Sequence, residues 1–138
     1  MTENPHDVLV LSLFKECDAL LQGHFKLTSG KHSEWYFEKI RLIEKPVALE
    51  KIVDLLVEKI EAEVPDFDYV VSPAYGAIAI GFLAALKLGR SFAFTQRGVD
   101  EKMTVRSGFA GLDGSRAVIV EDILTTGGSI QEVLACLR

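Results

Sequence analysis

Three short apolar runs in the second half of the chain constrain the fold most. "FDYVVS" leads into the helical pattern "PAYGAIAIGFLAALKLG", "SFAFT" leads into a polar loop, and "RAVIVE" leads into "DILTTGGSIQEVLACL". Strands too short and too apolar to leave either face in water, alternating with helices, predict an α/β fold with a parallel sheet flanked by helices. Ligands of such sheets sit at the carboxyl ends of the strands, where all these loops fall.

The first half reads differently. Val10, Leu13, Phe14, Cys17, Leu20 and Leu21 are at helical spacing over residues 6 to 21, with Gly23 as a stop, which predicts an amphipathic helix. "FKLTSGKHSEWYFEK" then has two alternating stretches around Thr28-Ser29-Gly30-Lys31, either a hairpin or an extended loop pair. A second helix opens near Pro46 and carries Leu49, Ile52, Val53, Leu56 and Ile60 on one face. With 138 residues, 49% of them hydrophobic, the expectation is one domain, residues 1–138, with a small N-terminal part to about residue 45 and an α/β core over 46–138. The last helical pattern runs to Arg138 with no glycine stop and no following strand, so we expect a chain that is short at its C-terminus, with strands missing there.

Charge and cysteine usage exclude several function classes. Twenty acidic against fifteen basic residues give a net charge of −5 without a basic cluster, which argues against nucleic acid or an anionic membrane as partner. Cys17 and Cys136 sit in apolar helical patterns without Cys-x-x-Cys or Cys/His spacing, so we expect buried free thiols and assign no metal-ligating residue. No apolar run reaches about eighteen residues and no leader is visible, which points to a soluble, cytoplasmic protein.

The chemistry concentrates in "VEDILTTGGS", residues 120–129. A glycine-rich turn feeding a helix start offers backbone N–H groups and the positive end of the helix dipole to a phosphate. Glu121 and Asp122 would repel that phosphate, yet carboxylates accept well from a vicinal diol. A ribose 5-phosphate unit satisfies both halves. Thr-Thr-Gly-Gly-Ser alone also suits a plain capped helix start, and it is neither a P-loop nor a dinucleotide fingerprint.

The longer string "VIVEDILTTGGS" closely resembles the signature of the type I phosphoribosyltransferases, which bind 5-phosphoribosyl 1-pyrophosphate (PRPP). The resemblance implies that Glu121 and Asp122 hold the ribose hydroxyls and that Thr125, Thr126, Gly127, Gly128 and Ser129 hold the 5-phosphate. "GHFKLTSGKHSEWYFEK" and "FTQRGVDEKMTVRSGF" look like the orotate phosphoribosyltransferase branch, so that the likeness spans almost the whole chain. In that branch the first segment forms a hood over the base. By that likeness Lys26, Thr28, Tyr36, Phe37 and Thr125 bind orotate. Alternate strand residues face opposite ways, so one of the Tyr36 and Phe37 rings does this, unless Trp35 and Phe37 form a buried strand face.

"VVSPAYGAIAIG" falls where the family binds pyrophosphate, which implicates Ala74, Tyr75 and Gly76 through backbone amides reaching to Ala77. Many orotate enzymes carry a lysine where Gly76 stands, and many carry one where Thr28 stands; Lys26 or Lys31 are the candidates to replace the latter. The loop around Gly98 reads as a mobile lid or as a solvated hairpin. In the family it closes over pyrophosphate, often that of the neighbouring subunit, so Arg97 and Lys102 would neutralise the leaving group and Asp122 would act on the sugar's side. The resemblance implies Mg2+ as cofactor, PRPP and orotate as partners, a homodimer, and orotidine 5'-monophosphate as product in pyrimidine biosynthesis; the alternatives are a purine or uracil phosphoribosyltransferase, or a regulator that binds PRPP without turnover. For His24 and His32 we expect hydrogen bonding or exposure, not proton transfer.

Overall fold

The computed structural model describes residues 4–27 and 29–138 and divides them into two units, one up to Ile52 and one from Val53. The division falls inside a helix.

In the first unit, Asn4 caps helix α1 (Pro5–Glu16) by accepting from the His6 N–H at 3.0 Å, with Pro5 in the first turn, where its missing N–H costs nothing. The helix is shorter than its spacing predicts. Cys17 ends it, Asp18 turns the backbone left-handed at φ 52°, and Leu20 and Leu21 leave the helical register to pair with Phe37 and Tyr36. Those two leucines belong to β1 (Leu20–Lys26), which meets β2 (His32–Phe37) in an antiparallel hairpin with an irregularity between Gln22 and Phe25. Gly23 therefore lies in a strand and stops no helix. A single turn, α2 (Ile40–Ile43), precedes α3 (Pro46–Glu63), which opens at the expected proline and crosses the boundary between the units.

The second unit is built on β3 (Tyr69–Pro73), which is buried along almost its whole length. It pairs in parallel with β4 (Ser91–Arg97) on one side and β6 (Ala117–Ile119) on the other. Its alternation feeds two cores. Val70 packs with Ile60, Phe67, Ala85 and Val120, toward α3 and α4 (Gly76–Leu88); Val71 packs with Ala93 and Val133, toward α5 (Gly128–Leu137). The sheet order is β5-β4-β3-β6, and β5 (Met103–Val105) runs antiparallel to β4. The expected polar loop after β4 is thus the turn of a hairpin, with Arg97 facing Met103 across it. Cys17 is buried as expected, whereas Cys136 is only partly buried and donates its S–H to the Val133 carbonyl at 3.2 Å.

Among the described residues, no helix is long and apolar enough to cross a membrane.

Candidate functional site

Because β3, β4 and β6 are parallel, the segments that follow them emerge at one edge of the second unit's sheet. The segment after β6 lines a cavity. This half-open cavity of about 260 Å3 is lined by Glu121, residues 123–130 and Glu132. Gly127 caps α5 in the left-handed conformation, φ 80° and ψ 7°, which a side chain would resist. The first helical bond of α5 runs from the Gln131 N–H to the Gly127 carbonyl at 3.1 Å, so the Gly128, Ser129 and Ile130 N–H groups precede the ladder and stand at the positive end of the helix. Thr125 and Thr126 add exposed hydroxyls.

The two acids separate. Glu121 lines the cavity, with its Oε1 accepting from the Asp122 N–H at 3.1 Å; Asp122 is partly buried outside the lining and accepts from the Ile123 N–H at 2.9 Å. Each carboxylate is held by a loop amide, which fixes the bend between β6 and the glycines.

After β3, a cis peptide joins Ala74 and Tyr75, and α4 begins at Gly76. The Ala74 N–H donates to the Thr95 carbonyl at 2.7 Å, so it extends the sheet and is engaged there. Tyr75 is 83% exposed. The Tyr75, Gly76 and Ala77 amides are left as this loop's candidates to meet an anion; none of these residues lines the cavity.

The hairpin after β4 is tied at its turn by the Gly98 N–H to the Lys102 carbonyl at 2.9 Å and the Glu101 N–H to the Gly98 carbonyl at 3.1 Å. Lys102 reaches outward, its side chain 81% exposed and its Nζ 3.8 Å from Asp100. Arg97 turns to α5: one guanidinium nitrogen donates to Glu132 Oε2 at 2.7 Å and the other to the Glu101 carbonyl at 2.7 Å. Glu132 is the charged lining residue not foreseen from the sequence, and Ile123, Leu124 and Ile130 join it in the lining. Helical spacing could have found Glu132, since it lies one turn on from Gly128 and Ser129 and so shares their face.

In the first unit, Tyr36 is exposed and stacks with Phe25 at a centroid distance of 5.4 Å, while Phe37 packs against Phe14 at 4.6 Å. The two rings are separated by strand alternation, and Tyr36 is the one with a free face. Trp35 is also exposed, so it does not form a buried face with Phe37. Lys26 pairs in register with His32, and the Lys31 carbonyl accepts from the Leu27 N–H at 2.8 Å. His24 Nε2 and His32 Nδ1 share a hydrogen bond of 2.6 Å, as their expected role requires. Thr28 lies outside the described residues.

Residues 42–138 match the family described as the phosphoribosyl transferase domain. Over 120 residues the chain is 44% identical to the orotate phosphoribosyltransferase of Wolinella succinogenes, an alignment that covers 87% of this chain and 58% of that one. The chain spans about three fifths of the length of the first such relatives. Among solved structures, the orotate phosphoribosyltransferase of Aeropyrum pernix superimposes with a TM-score of 0.75 at 26% identity, over 94% of this chain and 73% of that one. An adenine phosphoribosyltransferase from Thermoanaerobacter pseudethanolicus shares the fold, with a TM-score of 0.68 at 18% identity over 91% of this chain and 78% of that one. The glycine cup after β6, the match over 42–138 and these likenesses lead to one conclusion: the chain belongs to the phosphoribosyltransferase family, in its type I form, and is most like the orotate branch.

Proposed function

We propose that this protein transfers the 5-phosphoribosyl group of PRPP to orotate, giving orotidine 5'-monophosphate and pyrophosphate in the biosynthesis of UMP. The observation that carries the proposal is the cavity after β6, where helix-start amides and a carboxylate, Glu121, line one space. A phosphate fits the amides and sugar hydroxyls fit the acid. The orotate relatives supply the choice of base.

In the reaction an orotate nitrogen forms a bond to the sugar C1 as the bond from C1 to the pyrophosphate oxygen breaks, with inversion. The demand is for charge stabilisation of an electron-poor sugar and a polyanionic leaving group. Glu121 and Asp122 hold the sugar side. The amides after β3 and Lys102 of the β4–β5 hairpin face the leaving group. Tyr36 offers a planar surface for the base.

Among the described residues no group of three or more His, Cys, Asp or Glu side chains could hold a metal ion. That donor set fits Mg2+ carried largely by the substrate's own oxygens, with Glu121 or Asp122 as the protein's contribution. When bound, the ion would supply charge neutralisation at the pyrophosphate. A homodimer sharing the hairpin across subunits and a cytoplasmic location complete the proposal; both rest on likeness to the family.

The test is to incubate the protein with PRPP, Mg2+ and a mixture of orotate, uracil, adenine, guanine and hypoxanthine, and to identify nucleotide products by mass. Orotidine 5'-monophosphate alone is the expected product, and Asp122→Asn should reduce its formation markedly. Another nucleotide would overturn the choice of base, and no nucleotide would overturn the activity.

A further inference from the structure

We infer that Arg97 serves the phosphate cup by neutralising Glu132, and not by touching the ligand. The inference rests on the reading of the β6–α5 loop as a phosphate site. Glu132 lines the same cavity as the Gly128 to Ile130 helix start, while Arg97 does not. Glu121, the other carboxylate of the lining, is assigned to the sugar hydroxyls, whereas a carboxylate at Glu132 opposes what the helix start offers an anion: backbone amides, the helix dipole and threonine hydroxyls. Its charge lies well within a Debye length of a phosphate seated in the cavity, so solvent ions alone screen it incompletely.

The structure answers that conflict with one contact. Arg97 Nη2 meets Glu132 Oε2 at 2.7 Å, and Nη1 is fixed to the Glu101 carbonyl at 2.7 Å. The guanidinium is therefore oriented by its own hairpin and directed at the acid. Glu101, itself left-handed at φ 61°, accepts from Arg97 within a turn closed by Gly98 and Lys102. Both side chains remain about half exposed, 48% for Arg97 and 45% for Glu132. The pair thus contributes little to stability, and its effect is read in anion affinity. Arg97 is in this sense a positioning residue that acts through Glu132.

The test is a calorimetric titration of ribose 5-phosphate into the wild type, Arg97→Ala, Glu132→Gln and the double variant. Arg97→Ala should weaken binding about fivefold at low salt, in line with the upper range for exposed pairs, because it leaves Glu132 facing the ligand uncompensated. Glu132→Gln should bind at least as tightly as the wild type. The double variant should return to within about twofold of Glu132→Gln, and the Arg97→Ala defect should shrink as salt is raised to about 0.5 M. Arg97→Lys, which keeps the charge, should stay near the wild type and guards against a folding defect in the alanine variant. A double variant as weak as Arg97→Ala would overturn the inference and leave the cup intact, since it would mean that Arg97 contacts the ligand directly. A wild type that binds no ribose 5-phosphate would overturn the cup itself, and the inference with it.

Discussion

Replacing Gly127 by alanine separates the conformation of the cup from its chemistry. Gly127 caps α5 at φ 80° and ψ 7°, and a β-carbon there would meet only Leu124 Cδ1, at 3.9 Å, an ordinary contact. The cost of Gly127→Ala is therefore backbone strain, about 1–2 kcal/mol for a non-glycine residue held left-handed. The loop can relieve that strain only by rotating its peptides, which moves the amides that precede the first helical bond. If all of it appears in binding, ribose 5-phosphate affinity falls about fivefold to thirtyfold, at 1.4 kcal/mol per tenfold. If it appears in stability, the melting temperature falls by about 4 °C or more. Gly128→Ala is the comparison. Gly128 opens the helix, and its β-carbon would lie 3.7 Å from Thr126 Oγ1, so alanine there should stabilise by up to about 1 kcal/mol. Thermal unfolding of the two variants, with calorimetry on Gly127→Ala, decides the matter. A Gly127→Ala protein that melts and binds like the wild type would refute the claim that the left-handed cap shapes the site.

Two further predictions concern the second unit. A β-carbon at Gly81 would collide with Ser72 Oγ and come within 3.0 Å of Phe92, so Gly81→Ala should destabilise by about 1 kcal/mol, overpacking outweighing the gain in helix propensity. Ser72 Oγ is buried without a hydrogen-bond partner among the described residues, so Ser72→Ala should be close to neutral and should relieve part of the Gly81→Ala defect; urea unfolding of the single and double variants would show no coupling if α4 were not in close contact with β3. Burial pushes the Cys136 thiol above its ordinary value of 9.0, so as pH rises past that value the unfolded chain loses its proton first. That stability is fully present below pH 9.0 and declines above it, and melting curves should fall less steeply with alkaline pH in Cys136→Ala; equal slopes would contradict the account.

Local physics explains what the sequence disclosed. The β3 run was legible because a strand buried on both faces is apolar almost throughout, the β4 and β6 runs because they are short apolar stretches bounded by polar loops, and the cup because glycines and a helix start suffice to make an anion site from backbone. Leu20 and Leu21 misled because they suit a helix by spacing. What assigns them to β1 is pairing with Phe37 and Tyr36, more than a dozen residues away in sequence. The β5 strand, only Met103 to Val105, is too short to show alternation. The partner of Arg97 was hidden for a related reason: 35 residues separate it from Glu132, and only the parallel sheet brings β4 beside α5. Adjacency in sequence also did not disclose that Glu121 lines the cavity while Asp122, its neighbour in the loop after β6, lies outside the lining and accepts from the Ile123 N–H.

On the proposed reading, the loop after β6 receives a phosphoribosyl phosphate on the amides of the α5 start. An amide-resolved NMR titration of the 15N-labelled protein with ribose 5-phosphate tests it most directly. The largest shifts should fall at Gly128, Ser129 and Ile130, with smaller ones at Glu121 and Glu132. Shifts centred elsewhere, or none at saturating ligand, would contradict it.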